Sequence, residues 1–274
     1  MKDRKPVLAV LIPFYGLPEI LRKSLISLAQ ETLDHDVVVV DDGSPSPLAI
    51  PLDWHPRVTV VRHESNRGIT AALNTGLEHI LRENYRYVAR LDAGDINVQG
   101  RLEKQVAFLE RTPECKLVGG YGLSFAEDGR TLFPSRPPCT WEGIRRAMHR
   151  QCCIIHPSVM FRADVFAEVG GYRETYPAAE DYDLFFRITE RFYTVNLPEI
   201  LVEFEKGGSN SISRNRRRAQ VMSRIRIVLS HFDLALPQSY QGLLEGLISM
   251  MLPQSATTRL RELQDRFSRP STVK

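Results

Sequence analysis

The chain alternates short, wholly apolar segments with segments of helical periodicity, and this alternation restricts the folds open to it. Four apolar or β-branched segments bounded by turn residues predict fully buried strands: residues 7–12, 37–40, 58–61 and 87–91. Helical patterns with one apolar stripe lie between them at residues 17–33 and 69–81. The order of these segments predicts an α/β fold, with a mostly parallel central sheet and helices on both faces.

Polar residues follow each of the four predicted strands. They are residues 13–16 after the first, 41–44 after the second, 66–68 after the third and 92–95 after the fourth. Each cluster alone is typical of a turn. Because ligands of open α/β sheets bind beyond the carboxyl ends of the strands, four clusters at one edge predict a binding site.

The fourth cluster contains two carboxylates, Asp92 and Asp95, separated only by Ala93 and Gly94. The chain lacks both the glycine fingerprint of dinucleotide-binding folds after its first strand and the Gly-x-x-x-x-Gly-Lys-Ser/Thr phosphate loop. A divalent cation held by two carboxylates would neutralise a diphosphate instead, which predicts Mn²⁺ or Mg²⁺ at Asp92 and Asp95. The alternative is that these carboxylates cap a turn and the following helix.

Three acidic residues, Glu180, Asp181 and Asp183, open a predicted helix at residues 179–191. The helix dipole by itself favours acidic residues in a first turn. The apolar residues that follow, such as Leu184 and Phe185, should pull this helix start against the sheet. Partly buried carboxylates beside a pocket are candidate general bases.

The second half of the chain has a looser order of elements. We expect strands at 117–121, 154–161, 193–197 and 200–204, helices at 101–110, 163–169 and 179–191, a hairpin or loop at 125–138, and tail helices at 214–232, 240–252 and 257–267. The predicted organisation is a catalytic domain at residues 1–213, divided into a nucleotide-binding half at 1–98 and an acceptor half at 99–213, followed by a basic helical extension at 214–274.

The net charge of +3 conceals an asymmetry along the chain. From Glu205 to the end there are 12 Lys/Arg and 5 Asp/Glu, about +7, which leaves about −4 for the rest. Arginines among apolar residues in this tail favour contact with an anionic membrane surface. Packing on the catalytic domain or on a second subunit of a homodimer is the alternative. Nucleic-acid binding is disfavoured, because aromatic residues do not alternate with the arginines.

The cellular compartment is inferred from three features. The charged N-terminus precedes only six apolar residues, and no segment reaches the roughly 18 apolar residues of a membrane span. The four cysteines have neither metal-ligand spacing nor the pattern of a disulfide framework. These features predict a cytoplasmic protein, with the inner face of the membrane as the place of any peripheral contact.

Taken in order, the motifs resemble those of the glycosyltransferase family 2 enzymes, which have the GT-A fold. The resemblance covers residues 7 to about 213. It rests on Ile12-Pro-Phe-Tyr, Val39-Val-Asp-Asp-Gly-Ser, Glu64-Ser-Asn-Arg-Gly, Ala72-Leu-Asn-Thr-Gly, Arg90-Leu-Asp-Ala-Gly-Asp-Ile, Arg101-Leu-Glu-Lys-Gln, His156-Pro-Ser, Gly170-Gly-Tyr and Ala179-Glu-Asp-Tyr-Asp.

The resemblance implies an inverting transferase that moves a sugar from a nucleotide-sugar donor to a glycan or lipid-diphosphate-linked glycan in surface polysaccharide synthesis. Uridine diphosphate is the commonest donor nucleotide of the family. The implied nucleotide-binding residues are Pro13, Tyr15, Asp42, Asn66, Arg67, Gly68 and Arg90. The resemblance assigns the metal-bound diphosphate to Asp92 and Asp95, the general base to Asp181 beside Glu180, and acceptor or phosphate contacts to His156 and Lys206.

Two departures from the family pattern leave alternatives open. Gly94 stands where the family usually has its second aspartate, and Phe204-Glu-Lys-Gly-Gly-Ser stands where relatives often have a histidine before the serine. A non-catalytic sugar-nucleotide or glycan-binding subunit is therefore one alternative. A nucleotidyltransferase is another, although it would normally carry a basic glycine-rich loop after the first strand.

Overall fold

The computed structural model of the protein describes residues 6–126, 129–205 and 216–252. The strands are β1 Leu8–Phe14, β2 Asp36–Asp41, β3 Val58–Arg62, β4 Tyr87–Arg90, β5 Ile96–Asn97, β6 Cys115–Phe125, β7 Thr131–Ser135, β8 Met160–Arg162 and β9 Tyr193–Glu205. The helices are α1 Glu19–Ala29, α2 Ile69–Arg82, α3 Arg101–Arg111, α4 Trp141–Met148, α5 Val165–Val169, α6 Glu180–Arg191, α7 Arg217–Ser230 and α8 Pro237–Met251.

These strands form one sheet in the order β3-β2-β1-β4-β8-β6-β9-β5, with β7 paired to β6. The first four strands in this order are parallel to one another, so their carboxyl ends meet at one edge. Strand β8 pairs antiparallel with both β4 and β6, and therefore joins the two halves of the domain. The predicted parallel sheet is confirmed for the first half, and the second half is mixed.

Helices cover both faces of the sheet, as predicted. Successive strand residues point to opposite faces, so each face has its own apolar core beneath its helices. On one face, Leu11 and Val40 pack with α2, α4, α5 and α6. On the other face, Val10 and Val39 pack with α1 and α3. Residues of β1, β2 and β4 contribute to both cores, so these strands are held on both faces and the loops at their carboxyl ends start from fixed positions.

Some element predictions needed correction. Strand β3 was expected to be fully buried, but most of its residues are partly or largely exposed because it forms the edge of the sheet. A strand was expected at residues 154–161, but His156–Ser158 forms a 3-10 turn around Pro157, and the strand is confined to Met160–Arg162. Proline restricts its own φ and the residue before it, which disfavours a continuous strand there.

Other differences concern elements that the periodicity did not reveal. Helix α4 and the two-residue strand β5 were not predicted; the N-cap of α4 is Thr140, whose side chain accepts a hydrogen bond from Gly143 N at 3.2 Å. The two strands expected at 193–197 and 200–204 are one strand, β9, with a register shift between Leu197 and Ile200. Pro198 lies in this irregularity, where it lacks an N–H for the ladder.

The described part of the extension consists of α7 and α8. Helix α7 buries Val221, Ile225, Ile227 and Val228, and contacts α6. The helix expected at residues 257–267 lies outside the described residues. None of the helices in the described part of the chain has the length and apolar character needed to cross a membrane.

Candidate active site

Asp42 connects the loops that follow β2 and β3. It is buried, and its Oδ1 accepts hydrogen bonds from His63 Nδ1 at 2.7 Å and from Arg67 N at 2.9 Å. Its Oδ2 accepts from Gly68 N at 2.8 Å. Asp42 therefore holds the backbone of the loop that carries Asn66 and Arg67, both of which are exposed. The sequence identified Asp42 as a site residue but did not reveal this inward set of partners.

Asp41 makes a second connection, which the sequence analysis missed. Its Oδ1 accepts from Ser44 N at 2.9 Å, and its Oδ2 forms an ion pair with Arg62. Ser44 Oγ in turn accepts from Gly16 N at 3.0 Å, which ties the loop after β1 to the loop after β2. The loop after β1 also carries the exposed Tyr15, just beyond the buried Pro13.

Gly43 shows how closely these loops approach each other. It has a φ of +70°, and a Cβ added there would lie 2.4 Å from the backbone carbon of Ser65. Only glycine allows both the left-handed conformation and this contact. Pro13, Tyr15, Asp42, Asn66, Arg67 and Gly68 are thus gathered at one edge of the sheet, as the strand-end argument predicted.

The turn after β4 holds Asp92 and Asp95. Asp95 N donates to Asp92 O at 3.0 Å, and Gly94 between them has a φ of +96°. Ser24 of α1 fastens this turn, because its hydroxyl accepts from Gly94 N at 2.9 Å and donates to Asp95 O at 2.7 Å. Ser24 is a supporting residue that no motif indicated.

Arg90 lies beneath this turn. Its side chain is buried, forms an ion pair with Asp92 and donates to Leu11 O at 3.3 Å. The side chain contacts Asp92 from below instead of reaching the surface that a nucleotide would approach. A second buried arginine, Arg101, donates to Arg90 O at 2.9 Å, and burial lowers its pKa to about 9.

The pKa values of the two carboxyl groups of this turn are shifted in opposite directions. Burial and the neighbouring Asp92 raise the pKa of Asp95 to about 8. Burial is the largest influence on Asp92 and acts to raise its pKa, but the charge and hydrogen bond of Arg90 together with the nearby His156 outweigh burial and hold that pKa below the usual range. Asp92 is therefore ionised at neutral pH, whereas Asp95 gains its charge most readily when a cation approaches.

Whether Asp92 and Asp95 can hold a divalent metal depends on the oxygen ligands that a bound nucleotide diphosphate would add. Within residues 6–126, 129–205 and 216–252, no three His, Cys, Asp or Glu side chains converge into a metal-binding cluster. Mg²⁺ is commonly held by only one or two protein carboxylates when a bound diphosphate supplies further oxygens. Asp92 and Asp95 therefore fit a metal that binds together with a nucleotide diphosphate, and do not fit one held by protein ligands alone.

Glu180 and Asp181 begin α6 on the other side of the site. Leu184, Phe185 and Ile188 are fully buried, so the start of the helix is drawn into the core as predicted. Glu180 is only 7% exposed, and no hydrogen-bond partner for its Oε2 exists within the described residues. Asp181 Oδ1 accepts from the amide of Tyr182 at 2.7 Å.

Both carboxyl groups have raised pKa values. Burial, followed by the charge of Asp181, raises the pKa of Glu180 to about 7, and burial raises that of Asp181 to about 6. The charges of Asp92 and Arg90 act on both groups, so the two acidic clusters are close enough to interact. A carboxyl group with a pKa near 6 to 7 is suited to accept a proton at neutral pH.

His156 lies close to Arg90 and Asp92 but carries no charge near neutral pH. Burial and the nearby Arg90 lower its pKa to about 3. Its Nε2 forms a 2.9 Å hydrogen bond with the hydroxyl of Tyr172. Any phosphate contact by His156 would therefore come from a neutral ring. Lys206, which was also predicted to contact the acceptor or a phosphate, lies outside the described residues.

Asn74 of α2 joins the two halves of the site and was missed as a functional position. Its Nδ2 donates to Tyr172 O at 2.8 Å, and its Oδ1 accepts from Tyr172 N at 2.9 Å. Asn74 belongs to the motif Ala72-Leu-Asn-Thr-Gly, which marked this segment as part of the family pattern. The motif could not show that the partner of Asn74 lies 98 residues away in the chain. Tyr172 in turn positions His156 next to Asp92.

Comparison with known proteins gives a family match and similar sequences. The family model described as "Glycosyl transferase family 2" matches residues 9–170. The chain is 33% identical over 252 residues to the amylovoran biosynthesis glycosyltransferase AmsE of Erwinia amylovora, covering 89% of this chain and 91% of that protein.

Two solved structures share the fold. TarS of S. aureus in complex with UDP-GlcNAc superposes with a TM-score of 0.59 at 17% identity, covering 88% of this chain and 72% of that chain. The mannosyltransferase PcManGT from Pyrobaculum calidifontis, in complex with GDP-Man and Mn²⁺, gives a TM-score of 0.60 at 17% identity, with 89% and 69% covered. With its GT-A fold and a family match over more than half its length, the chain belongs to glycosyltransferase family 2.

Proposed function

We propose that this protein is an inverting glycosyltransferase of surface polysaccharide synthesis, with a UDP-sugar as donor and a hydroxyl of a glycan or lipid-diphosphate-linked glycan as acceptor. The main support is the placement of Glu180 and Asp181, with pKa values raised to about 7 and 6, within electrostatic reach of Asp92. The name of the relative AmsE supports the polysaccharide, and the ligand of TarS supports the donor class.

The donor nucleotide would lie over the loops at the carboxyl ends of β1, β2 and β3. Tyr15, Asn66 and Arg67 present exposed side chains there. Pro13, Gly68 and the buried Asp42 would shape the surface beneath the base and ribose. Arg90 would act indirectly, by keeping Asp92 charged and in place.

The diphosphate would lie over the turn after β4. Asp92 and Asp95 would hold Mn²⁺ or Mg²⁺ there; PcManGT is a structural neighbour crystallised with Mn²⁺ and its donor. The metal would stabilise negative charge on the diphosphate. Neutral His156 would contribute a hydrogen bond to the phosphate or the acceptor, without a formal charge.

Asp181 would act as the general base in the transfer. Its carboxylate accepts the proton of the acceptor hydroxyl while the acceptor oxygen bonds to the anomeric carbon. The bond from that carbon to the diphosphate oxygen breaks, and its electron pair leaves with the nucleoside diphosphate. Attack from the face opposite the leaving group inverts the anomeric centre. The raised pKa of Glu180 leaves it largely protonated below about pH 7, so it adds little negative charge beside Asp181.

Replacing Asp181 with Asn tests this assignment. We expect turnover to fall by two to four orders of magnitude, as is usual for loss of a general base, while UDP-sugar affinity measured by calorimetry stays within about twofold. Asp164→Asn is the matched control, because Asp164 is an exposed aspartate that forms an ion pair with Lys116 at 2.7 Å. If Asp181→Asn retained full turnover, the base assignment would be wrong. If the wild type bound the donor but transferred no sugar to any acceptor, the non-catalytic subunit would be favoured.

A lipid-linked acceptor would place the reaction at the inner face of the cytoplasmic membrane. The basic extension would then approach that surface, which carries anionic lipid. A homodimer through the same extension is the competing arrangement.

A further inference from the structure

Helix α8 packs with its small residues inward and most of its large apolar residues outward; the exception is Leu243, which is half-buried against the core. The residues that it buries are Ser239, Gly242 and Gly246. Its outward side chains include Tyr240, Leu244, Leu247 and Met251, which are 51%, 59%, 53% and 86% exposed. These four residues and Ile248 recur at spacings of three and four, so they share one stripe, which we call the α8 apolar face. This orientation is the reverse of the usual one for a surface helix.

Close packing fixes this orientation. A Cβ added at Gly242 would lie 2.4 Å from His149 O, and one added at Gly246 would lie 2.6 Å from Ile225 Cγ1 of α7. Ser239 Oγ forms a 3.0 Å hydrogen bond with His149 Nδ1 in the same interface. Rotation of α8 to bury Leu244 and Leu247 would break these contacts, so the α8 apolar face is a stable feature of the fold.

The charges around α8 are those expected next to an anionic surface. The helix contains one charged residue, Glu245, which is ion-paired with Arg150 at 2.6 Å. At its C-terminal end, Arg217 donates to Ser249 O at 2.8 Å and to Leu252 O at 3.0 Å. Arg216 and Arg218, on either side of Arg217, are exposed. The α8 apolar face therefore has arginines near one end, and Glu245, the one acidic residue of the helix, is neutralised by Arg150.

We propose that the α8 apolar face docks on a bilayer that contains anionic lipid, with its large side chains at the boundary between headgroups and acyl chains. Interfacial helices combine an apolar stripe with Arg or Lys at the headgroup level in this way. The proposal deepens the proposed function, because a lipid-linked acceptor would be presented at the same surface.

A second copy of the chain fits the α8 apolar face less well. A helix of 15 residues is about 22 Å long and about 10 Å wide, so one side of it covers on the order of 200 Å². A stable protein interface buries about 800 Å² on each partner.

The test is co-sedimentation of the full-length protein with vesicles of equal parts phosphatidylcholine and phosphatidylglycerol, or of phosphatidylcholine alone. We expect binding to the anionic vesicles that weakens with added salt. The triple variant Leu244→Glu, Leu247→Glu, Met251→Glu should bind at least about tenfold more weakly. Leu52→Glu is the matched control, because Leu52 is 82% exposed on a loop between β2 and β3 and should not change binding.

Three outcomes would overturn the proposal. They are no binding of the wild type to either vesicle, equal binding by the triple variant, and a wild-type dimer in solution that the triple variant dissociates. The assay needs neither donor nor acceptor, so its failure would leave the proposed transfer reaction standing. Conversely, Asp181→Asn should bind vesicles as the wild type does even if it has lost turnover.

Discussion

At the scale of single residues, the site depends on carboxyl groups whose chemistry is set by their surroundings. Asp92 is kept charged by Arg90, whereas Asp181 and Glu180 hold protons to higher pH because they are buried. The sequence identified these residues by position, since they follow a strand or open a helix. It could not reveal their protonation, which depends on Arg90 and on burial by elements far away in the chain.

The raised pKa of Asp181 predicts how activity depends on pH. Asp181 accepts a proton only as a carboxylate, and its pKa is raised to about 6. Activity should therefore fall as pH decreases through about 6, by up to about tenfold per unit, and reach a plateau above about pH 7. The measurement is the initial rate with saturating donor at constant ionic strength. A rate that does not change from about pH 5 to 8 would contradict the assignment of Asp181 as the base.

Gly94 allows a second prediction at this scale. A residue with a side chain at φ +96° is strained, and its Cβ would lie 3.3 Å from Ile20 Cγ2. Gly94→Ala should therefore lower the free energy of unfolding by about 1–2 kcal/mol in urea titrations. Gly94→Asp should show the same loss, without tighter Mn²⁺ binding in the presence of UDP. If Gly94→Asp bound the metal more tightly at unchanged stability, the turn would be able to accept the usual family pattern.

At the scale of elements, α7 supports the loop that leads to Glu180 and Asp181. Ser223 Oγ donates to Pro177 O at 3.0 Å, and Arg226 donates to Thr175 O at 3.2 Å. The Arg226 guanidinium also lies 5.3 Å from the centroid of the Tyr176 ring. The extension thus fixes the entry to α6, a role that composition and charge did not indicate.

Removal of these contacts should displace Asp181, the proposed base, without affecting the proposed donor site. For the double variant Ser223→Ala, Arg226→Ala we expect kcat to fall about tenfold while UDP affinity is unchanged, because small displacements of a base are costly. Arg226→Lys, which keeps a donor, should restore part of the loss. Ser230→Ala is the control, since its hydroxyl donates to Ile227 O at 2.9 Å within α7 itself. Equal losses in kcat and donor affinity would indicate general unfolding instead of positioning.

The predicted helices and strands show most clearly what a single sequence can and cannot specify. Helices α2, α3 and α6 were predicted to within one residue at each end, because long apolar stripes and turn residues bound them. Helix α4 has only eight residues, and β5 has two, so neither provides a measurable period. Strand β3 has an apolar sequence but lies at an edge, and position in a sheet is not encoded in one segment.

At the scale of the whole molecule, the site exists because two halves of one sheet meet at β4 and β8. The sequence predicted which residues follow the strands, and the parallel order of β3-β2-β1-β4 brings them together. It could not predict the pairing of Asn74 with Tyr172 or the contact of α7 with residues 175–177. These contacts join segments far apart in the chain, and no local pattern specifies the partner.

Asn74→Ala tests the connection between the halves. The substitution removes two hydrogen bonds to the Tyr172 backbone, so we expect a loss of about 1–3 kcal/mol in the free energy of unfolding. Turnover should fall as well, because Tyr172 positions His156. Chemical denaturation followed by tryptophan fluorescence measures the first effect. Unchanged stability and turnover would show that the contact between β4 and β8 alone aligns the halves.

The hydrogen bonds of Asp42 have a consequence for the kinetics of ligand capture. They cross-link the loops around the proposed nucleotide site to one another before any ligand arrives, so little conformational entropy would remain to be lost when a nucleotide binds. We expect association to be fast and single-phase, with no slow ordering step, and selectivity among nucleotides to be expressed mainly in their residence times.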